Sequence, residues 1–254
     1  MTYDVIAEAR TRTRRRVSAT VAIVLALGAF VAGGWLLAAR APSDPVAADR
    51  GAATVSPAGA SGPSATPDAA LPNDLTWSDV DGVALPVSPS SGPHDTSGNL
   101  ARGFTHDAGG AVLAAVHLLV RVCPQVGPDV FDPTLRTQVV GPDAASMRVQ
   151  VAQQYEVLRA QAQVAYGQPV GRLYATLRGY RVDTYGPASA QLQVLTSTVD
   201  DTGATVYTAA RVQLTWTGTD WALVAPPGGT WQHIVVLVPA EQVTTFTPFP
   251  GAGR

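Results

Sequence analysis

Lysine is missing altogether: all seventeen basic residues of this 254-residue chain are arginine. Cysteine occurs once, at Cys123, which excludes an intrachain disulfide and any CxxC redox or zinc site. No cysteine closely follows the apolar run near the front, so no lipoprotein attachment site is offered. Histidine occurs four times, at His94, His106, His117 and His233, and no two stand at a zinc-ligand spacing such as HxxxH. There is no GxSxG, no glycine-rich phosphate loop, and no pair of carboxylates on one helix face. Hydrolase, P-loop and zinc-enzyme chemistry therefore have no motif to stand on, and no cofactor, metal or catalytic residue is expected.

One long apolar run is present: Val17–Ala39, VSATVAIVLALGAFVAGGWLLAA, without a charge. At about 1.5 Å per residue it makes roughly 35 Å of helix, enough to cross a hydrocarbon core of about 30 Å. Arg10, Arg12, Arg14, Arg15 and Arg16 precede it, and only Arg40 and Arg50 follow soon after. That asymmetry holds the N-terminus in the cytoplasm and puts everything from Arg40 onward outside the cell membrane. Trp35 sits near the far end, where an indole suits the interface, and Arg40 closes the span. A cleaved signal peptide is the competing reading, but the run is longer than an ordinary h-region. Pro42 also follows the small-x-small site at Ala39-Arg40-Ala41. A twin-arginine signal is weaker still, because Ser18 interrupts the apolar requirement. Small-xxx-small pairs such as Ala22/Ala26 make a homo-oligomer possible through the span.

Charge is segregated along the chain. Residues 1–16 carry five Arg against Asp4 and Glu8, whereas residues 73–254 carry ten Arg against fourteen acids. An acidic outer domain lacks the basic stripe that releases counterions from DNA or RNA, so no direct nucleic-acid binding is expected.

The expected organisation is a tail at 1–16, a transmembrane helix at 17–39, a linker at 40–74, and an α+β domain at 75–254 whose first part, 75–104, is an extended arm. The linker is built of Ala, Pro, Ser, Gly and Thr, too poor in apolar side chains to offset its ordering entropy, and is expected to be disordered. Val112, Ala115, Val116, Leu119 and Val122 predict a helix over Thr105–Val122, with Thr105 as a cap and Asp107 at the positive end of its dipole. A short turn is expected at Pro133–Val140. Met147, Val151, Tyr155, Leu158, Ala162 and Ala165 predict the longest helix, Asp143–Tyr166. The period then falls to two, giving strands at Val170–Tyr185, Ala188–Val199, Thr205–Thr217 and Trp221–Ala225, with Gly179 a candidate bulge. Residues 230–254 show no clear place. The economical architecture is two helices packed on a curved four-stranded antiparallel sheet.

Three stretches carry a resemblance: Gly103-Phe104-Thr105-His106-Asp107 with the helix start after it, the run Val130-Phe131-Asp132-Pro133-Thr134, and the W-x-G-x-D-W hairpin around Trp216, Gly218, Asp220 and Trp221. Behind an N-in anchor, this pattern resembles the cone-shaped nuclear transport factor two-like proteins. It looks most like the bitopic assembly components of type IV secretion systems on actinobacterial integrative conjugative elements. The resemblance implies a cone-like domain with a non-catalytic, protein–protein role in conjugation and other envelope or secretion-system proteins as partners. Other membrane proteins with such a hairpin belong to lipid-uptake operons, so an accessory of lipid import is the alternative. A third reading is a small-ligand or isomerase-like cone, with Tyr155, Tyr174 and Asp183 facing inward.

Overall fold

Ala108–Arg121 (α1) reads AGGAVLAAVHLLVR, with small and apolar residues on every face, and a helix apolar all round has to be enclosed. Twelve of its fourteen residues are buried. The rest of the fold is the enclosure. The structure, a computed structural model, describes residues 69–232 and 234–251.

A seven-stranded mixed sheet lies on one side of α1. Its strands are β3 (Val139–Val140), β4 (Thr176–Gly186), β5 (Ser189–Val199), β6 (Thr205–Trp216), β7 (Trp221–Val224), β8 (Val235–Leu237) and β9 (Thr247–Pro248). The order is β3-β7-β6-β5-β4-β9, with β8 also on β6. β3 runs parallel to β7, and the other pairings are antiparallel. A separate hairpin, β1 (Thr76–Val80) and β2 (Val83–Val87), packs against α1 and β4. Helix α2 (Pro128–Thr137) packs on α1, and helix α3 (Ala144–Ala162) packs on α2.

This architecture corrects the expected two helices on a four-stranded antiparallel sheet. The three extra strands are two or three residues long, too short to print a period of two in the sequence. The expected turn at Pro133–Val140 is instead helix α2 followed by β3. Pro133 lies inside that helix, and the Asp129 carbonyl its missing N–H cannot serve accepts a bond from Asn99 Nδ2 at 3.1 Å. The arm is a hairpin: Asp81 and Gly82 turn it with φ of 51° and 88°, an Asp-Gly turn of the kind that closes two-residue hairpins. Ala69, within the expected linker, is buried, and its carbonyl accepts from Tyr180 Oη at 2.7 Å. Helix α3 ends at Ala162, where Gln163 turns left-handed (φ 58°), leaving Ala162 and Ala165 exposed. Met147, Val151 and Tyr155 are its buried residues.

Among the described residues no helix is long and apolar enough to cross a membrane. The expected span 17–39, with Arg10, Arg12, Arg14, Arg15, Arg16, Trp35 and Arg40, lies outside the described residues.

The segment after β7 has a definite course. It runs along β6 as β8, crosses the sheet's outer face and ends against β4 as β9. On the way Phe246 packs on Leu195 and Ala209, with Val238 and Val243 beside it, while the Arg181 guanidinium lies 5.1 Å from the Phe246 ring centroid. The outer face is thereby covered around Leu195 and Ala209, while Gln191, Arg211 and Gln213 on the same face stay exposed. Gly179 makes the last step possible. The register shifts between Leu177 and Gly179, and a Cβ at Gly179 would stand 2.7 Å from the Thr247 carbonyl oxygen.

Gly179→Ala should therefore lift β9 from β4 at a cost of about 1–3 kcal/mol. Urea unfolding would show the loss, and hydrogen exchange would localise it to Thr247–Phe249 and Tyr180; unchanged protection there would contradict the seating.

Candidate functional site

The turn after β6 is short and chemically specified. Gly218 has φ of 96°, a left-handed position suited to glycine, and Thr217 and Asp220 close on each other through Thr217 N–H and Oγ1 to the Asp220 carbonyl, both 2.9 Å. The turn aims the Asp220 carboxylate away from its own hairpin, at the run that leads into α1. Oδ2 accepts the Gly103 N–H at 2.7 Å, and Oδ1 accepts those of Phe104 (3.3 Å) and Trp221 (2.9 Å). Beside it the Trp221 indole, 1 % exposed, donates Nε1–H to the Thr105 carbonyl at 3.0 Å. Gly110 leaves room for that carbonyl, since a Cβ there would collide with it. Two stretches more than a hundred residues apart are thus clamped together (Gly103–Asp107 and Trp216–Trp221).

Around this clamp the aromatic rings form one cluster. The His106 ring stacks on Trp216 at 4.0 Å between centroids and 8° between planes, and Trp216 meets Trp221 edge-on at 5.3 Å. His106 Nε2 donates to the Pro187 carbonyl in the β4–β5 turn, and Tyr185 Oη donates to the His106 carbonyl at 3.2 Å. His106 is exposed and Trp216 half-buried, so the clamp presents a stacked imidazole and indole to solvent. Sequence reading singled out Trp216, Gly218, Asp220 and Trp221 for the hairpin alone and missed the hydrogen bonds to Gly103, Phe104 and Thr105. It also gave the helix cap to Thr105, whereas Asp107 is the N-cap, its Oδ1 accepting from Gly110 N–H at 2.6 Å.

Asp220 and Trp221 spend their side-chain polar atoms on backbone partners, while the buried Thr105 hydroxyl beside them has no partner among the described residues. The isomerase-like set does not converge. Asp183 is exposed and tied to Arg181 Nε (3.0 Å) and Gln193 Nε2 (2.8 Å). Tyr174 is 58 % exposed, and Tyr155, though buried, donates Oη–H to the Gln168 carbonyl and accepts from Gly167 N–H. Among the described residues no three His, Cys, Asp or Glu side chains are grouped to hold a metal ion. Cys123 is buried, its Sγ donates to the Leu119 carbonyl, and burial with the nearby Asp81 charge pushes the thiol up to about 12, so it stays protonated. It lines a narrow apolar cavity of about 60 Å³ with Leu119, Leu177, Val194 and Trp231.

A second polar pair sits inside the core on α1. His117 Nε2–H donates to the Pro86 carbonyl at 2.8 Å, which leaves Nδ1 to accept from Arg121 Nη1 at 2.9 Å. Burial, reinforced by the Arg121 charge, holds the imidazole down at about 3, so it is neutral. Burial alone lowers Arg121 to about 10, still charged at neutral pH; its Nε donates to the Asn99 carbonyl.

A family model described as Domain of unknown function (DUF8175) matches residues 38–248, most of the chain. The chain belongs to that family. No curated protein matches it, and no solved structure does. The DUF8175 match takes in both halves of the Asp220 clamp and the strands β8 and β9, and it begins at the far end of the apolar run.

Asp220→Ala in this DUF8175 domain strips the acceptor from three backbone N–H groups and should cost about 2–3 kcal/mol. Red-shifted tryptophan emission should accompany the loss, as the Trp221 indole follows the freed strand into water; unchanged emission and unfolding midpoint would contradict the clamp.

His117 gives a pH prediction. Its folded value lies below the ordinary 6.5, so its contribution is fully present above pH 6.5 and is lost as pH falls toward 3. The slope is at most about 1.4 kcal/mol per pH unit. Asp81 has the opposite sign: burial, with the Asp79 charge, raises it to about 6, so its contribution weakens as pH rises from 4 to 6. Comparing unfolding midpoints of the native chain and His117→Gln between pH 4 and 7 isolates the histidine, and parallel profiles would refute its role.

Proposed function

We propose that this chain is a non-catalytic structural subunit of a conjugative, type IV secretion-like DNA-transfer apparatus. The span 17–39 holds it in the cell membrane with its N-terminus in the cytoplasm, and its outer domain docks other envelope proteins. The observation that carries this reading is the Asp220 clamp. The first and third stretches that bear the likeness to conjugation components meet there, with the Asp220 carboxylate and the Trp221 indole engaged in joining sheet to helix rather than aimed at a substrate. What they leave outside is a contact surface, the His106–Trp216 stack. The surplus of acidic side chains in the outer domain favours protein partners over nucleic acid.

Deleting the gene from its native element should lower DNA-transfer frequency by orders of magnitude, with full-length chain restoring it. In the same strain the chain should stay in the membrane pellet after alkaline wash. Unchanged transfer would overturn the conjugative role, and recovery as a free species shortened at the front would overturn the tether.

A further inference from the structure

β8 forms an edge that no described strand covers. It pairs with β6 alone, over Val235–Leu237. Arg211 N–H donates to the Ile234 carbonyl at 2.8 Å and Val238 N–H to the Tyr207 carbonyl at 2.9 Å. The alternation of an antiparallel ladder therefore turns the Ile234 carbonyl and the backbone groups of Val236 and Val238 toward β6, and those of Val235 and Leu237 outward; the Ile234 N–H donates to the Trp231 carbonyl. Val235 N–H is occupied by the Trp231 carbonyl at 3.1 Å. What faces outward unused among the described residues is the Leu237 N–H, the Leu237 carbonyl and the Val235 carbonyl.

The side chains along this edge are apolar and open, Val236 at 40 % and Leu237 at 68 % exposed. From Trp231 to Ala240 there is no Asp, Glu, Lys or Arg. Edges that stay single are ordinarily guarded by charge, proline or a bulge, and Pro239 guards only one end of this one. Elsewhere the acidic excess of the outer domain opposes the approach of a second copy; along this edge it is locally absent.

The free groups complement themselves. Two antiparallel copies related by a two-fold axis through Val236 place each Leu237 N–H against the Val235 carbonyl of the other. Moving the axis to Leu237 would pair the two Leu237 residues but would press the Pro239 ring, which stands where an N–H would be, against the Val235 carbonyl of the other copy, so the Val236 register is favoured. A three-residue strand buries far less than the roughly 1,200 Å² of a stable interface, so the pairing relies on the local concentration that a shared membrane supplies. We propose that β8 is a self-association edge: two membrane-tethered copies of this chain join β8 to β8, with Val236 on the axis. This deepens the function proposed above and rests on its tether.

The test is cysteine cross-linking of full-length chain in isolated membranes, in a Cys123→Ala background. Across the axis, the two Val236 positions form a non-hydrogen-bonded pair with Cα atoms about 4.5 Å apart, within disulfide reach. The Leu237 positions stand diagonally, roughly 7–8 Å apart, outside it. Val236→Cys should give a disulfide dimer under mild oxidation and Leu237→Cys many-fold less; adding Leu237→Lys should suppress the Val236→Cys dimer. Equal cross-linking at both positions, none at Val236, or an adduct with a different protein would overturn the pairing. Pelleting of uncross-linked chain reports the tether separately, so its failure is distinguishable from failure of the edge.

Discussion

The fold depends on hiding a helix that has no solvent face. Val112, Leu113 and Leu118 point to different sides of α1 and are all fully buried, so no single layer can satisfy them. Sheet, hairpin and α2 pack directly on it, and α3 packs on α2 from outside. The small residues Gly109, Gly110, Ala111, Ala114 and Ala115 let those layers come close, and close packing supplies much of the stabilisation. Both ends of such a helix need fixing, because its terminal backbone groups are far from water. At the front, Asp107 caps and the Asp220 clamp fixes the approach; at the back, Arg121 complements the negative end of the dipole.

Inside this enclosure the His117–Arg121 pair is held by neutral partners, whereas Thr105 Oγ1, Gln125 Nε2 and Gln138 Oε1 are buried without one among the described residues. His117, like the exposed His94 and His106, bonds to a proline carbonyl, at Pro86, Pro89 and Pro187 respectively. A proline carbonyl is a convenient acceptor here, since the same residue brings no N–H that would also need a partner. Arg121 retains its charge because the neutral His117 ring and the Asn99 carbonyl accept its hydrogen bonds. Chemistry that looks catalytic in composition is thus used to let one cation and one imidazole exist inside apolar packing.

Sequence alone shows the long elements and misses the short ones. β5 and β6 follow their alternation to within two residues of the expected ends, and Gly179 lies at the bulge its isolation in a strand suggests. Tyr155 and Met147 sit on the buried seam of α3. β3, β8 and β9 leave no signal because two or three residues carry no period. The tail also looked structureless because its apolar residues serve two faces in turn, Val235 inward to the cavity and Phe246 onto the outer face. One legible sign went unused: Asp81-Gly82 between two apolar runs is a hairpin signal, read instead as part of an arm. The Asp220 clamp was half legible. Its residues stood out, but hydrogen bonds across more than a hundred residues are a product of topology and have no local signature.

The course of the segment after β7 bears on how this domain is made. β6 and β4 each receive their outer neighbour from residues translated after every other strand of the sheet. Until those residues emerge, Leu195 and Ala209 stay bare and both strands offer open backbone to whatever is near. A nascent chain held at an exit site is therefore poised for wrong pairings through most of its synthesis. The outer face and the two outer pairings are completed only by the last part of the described chain.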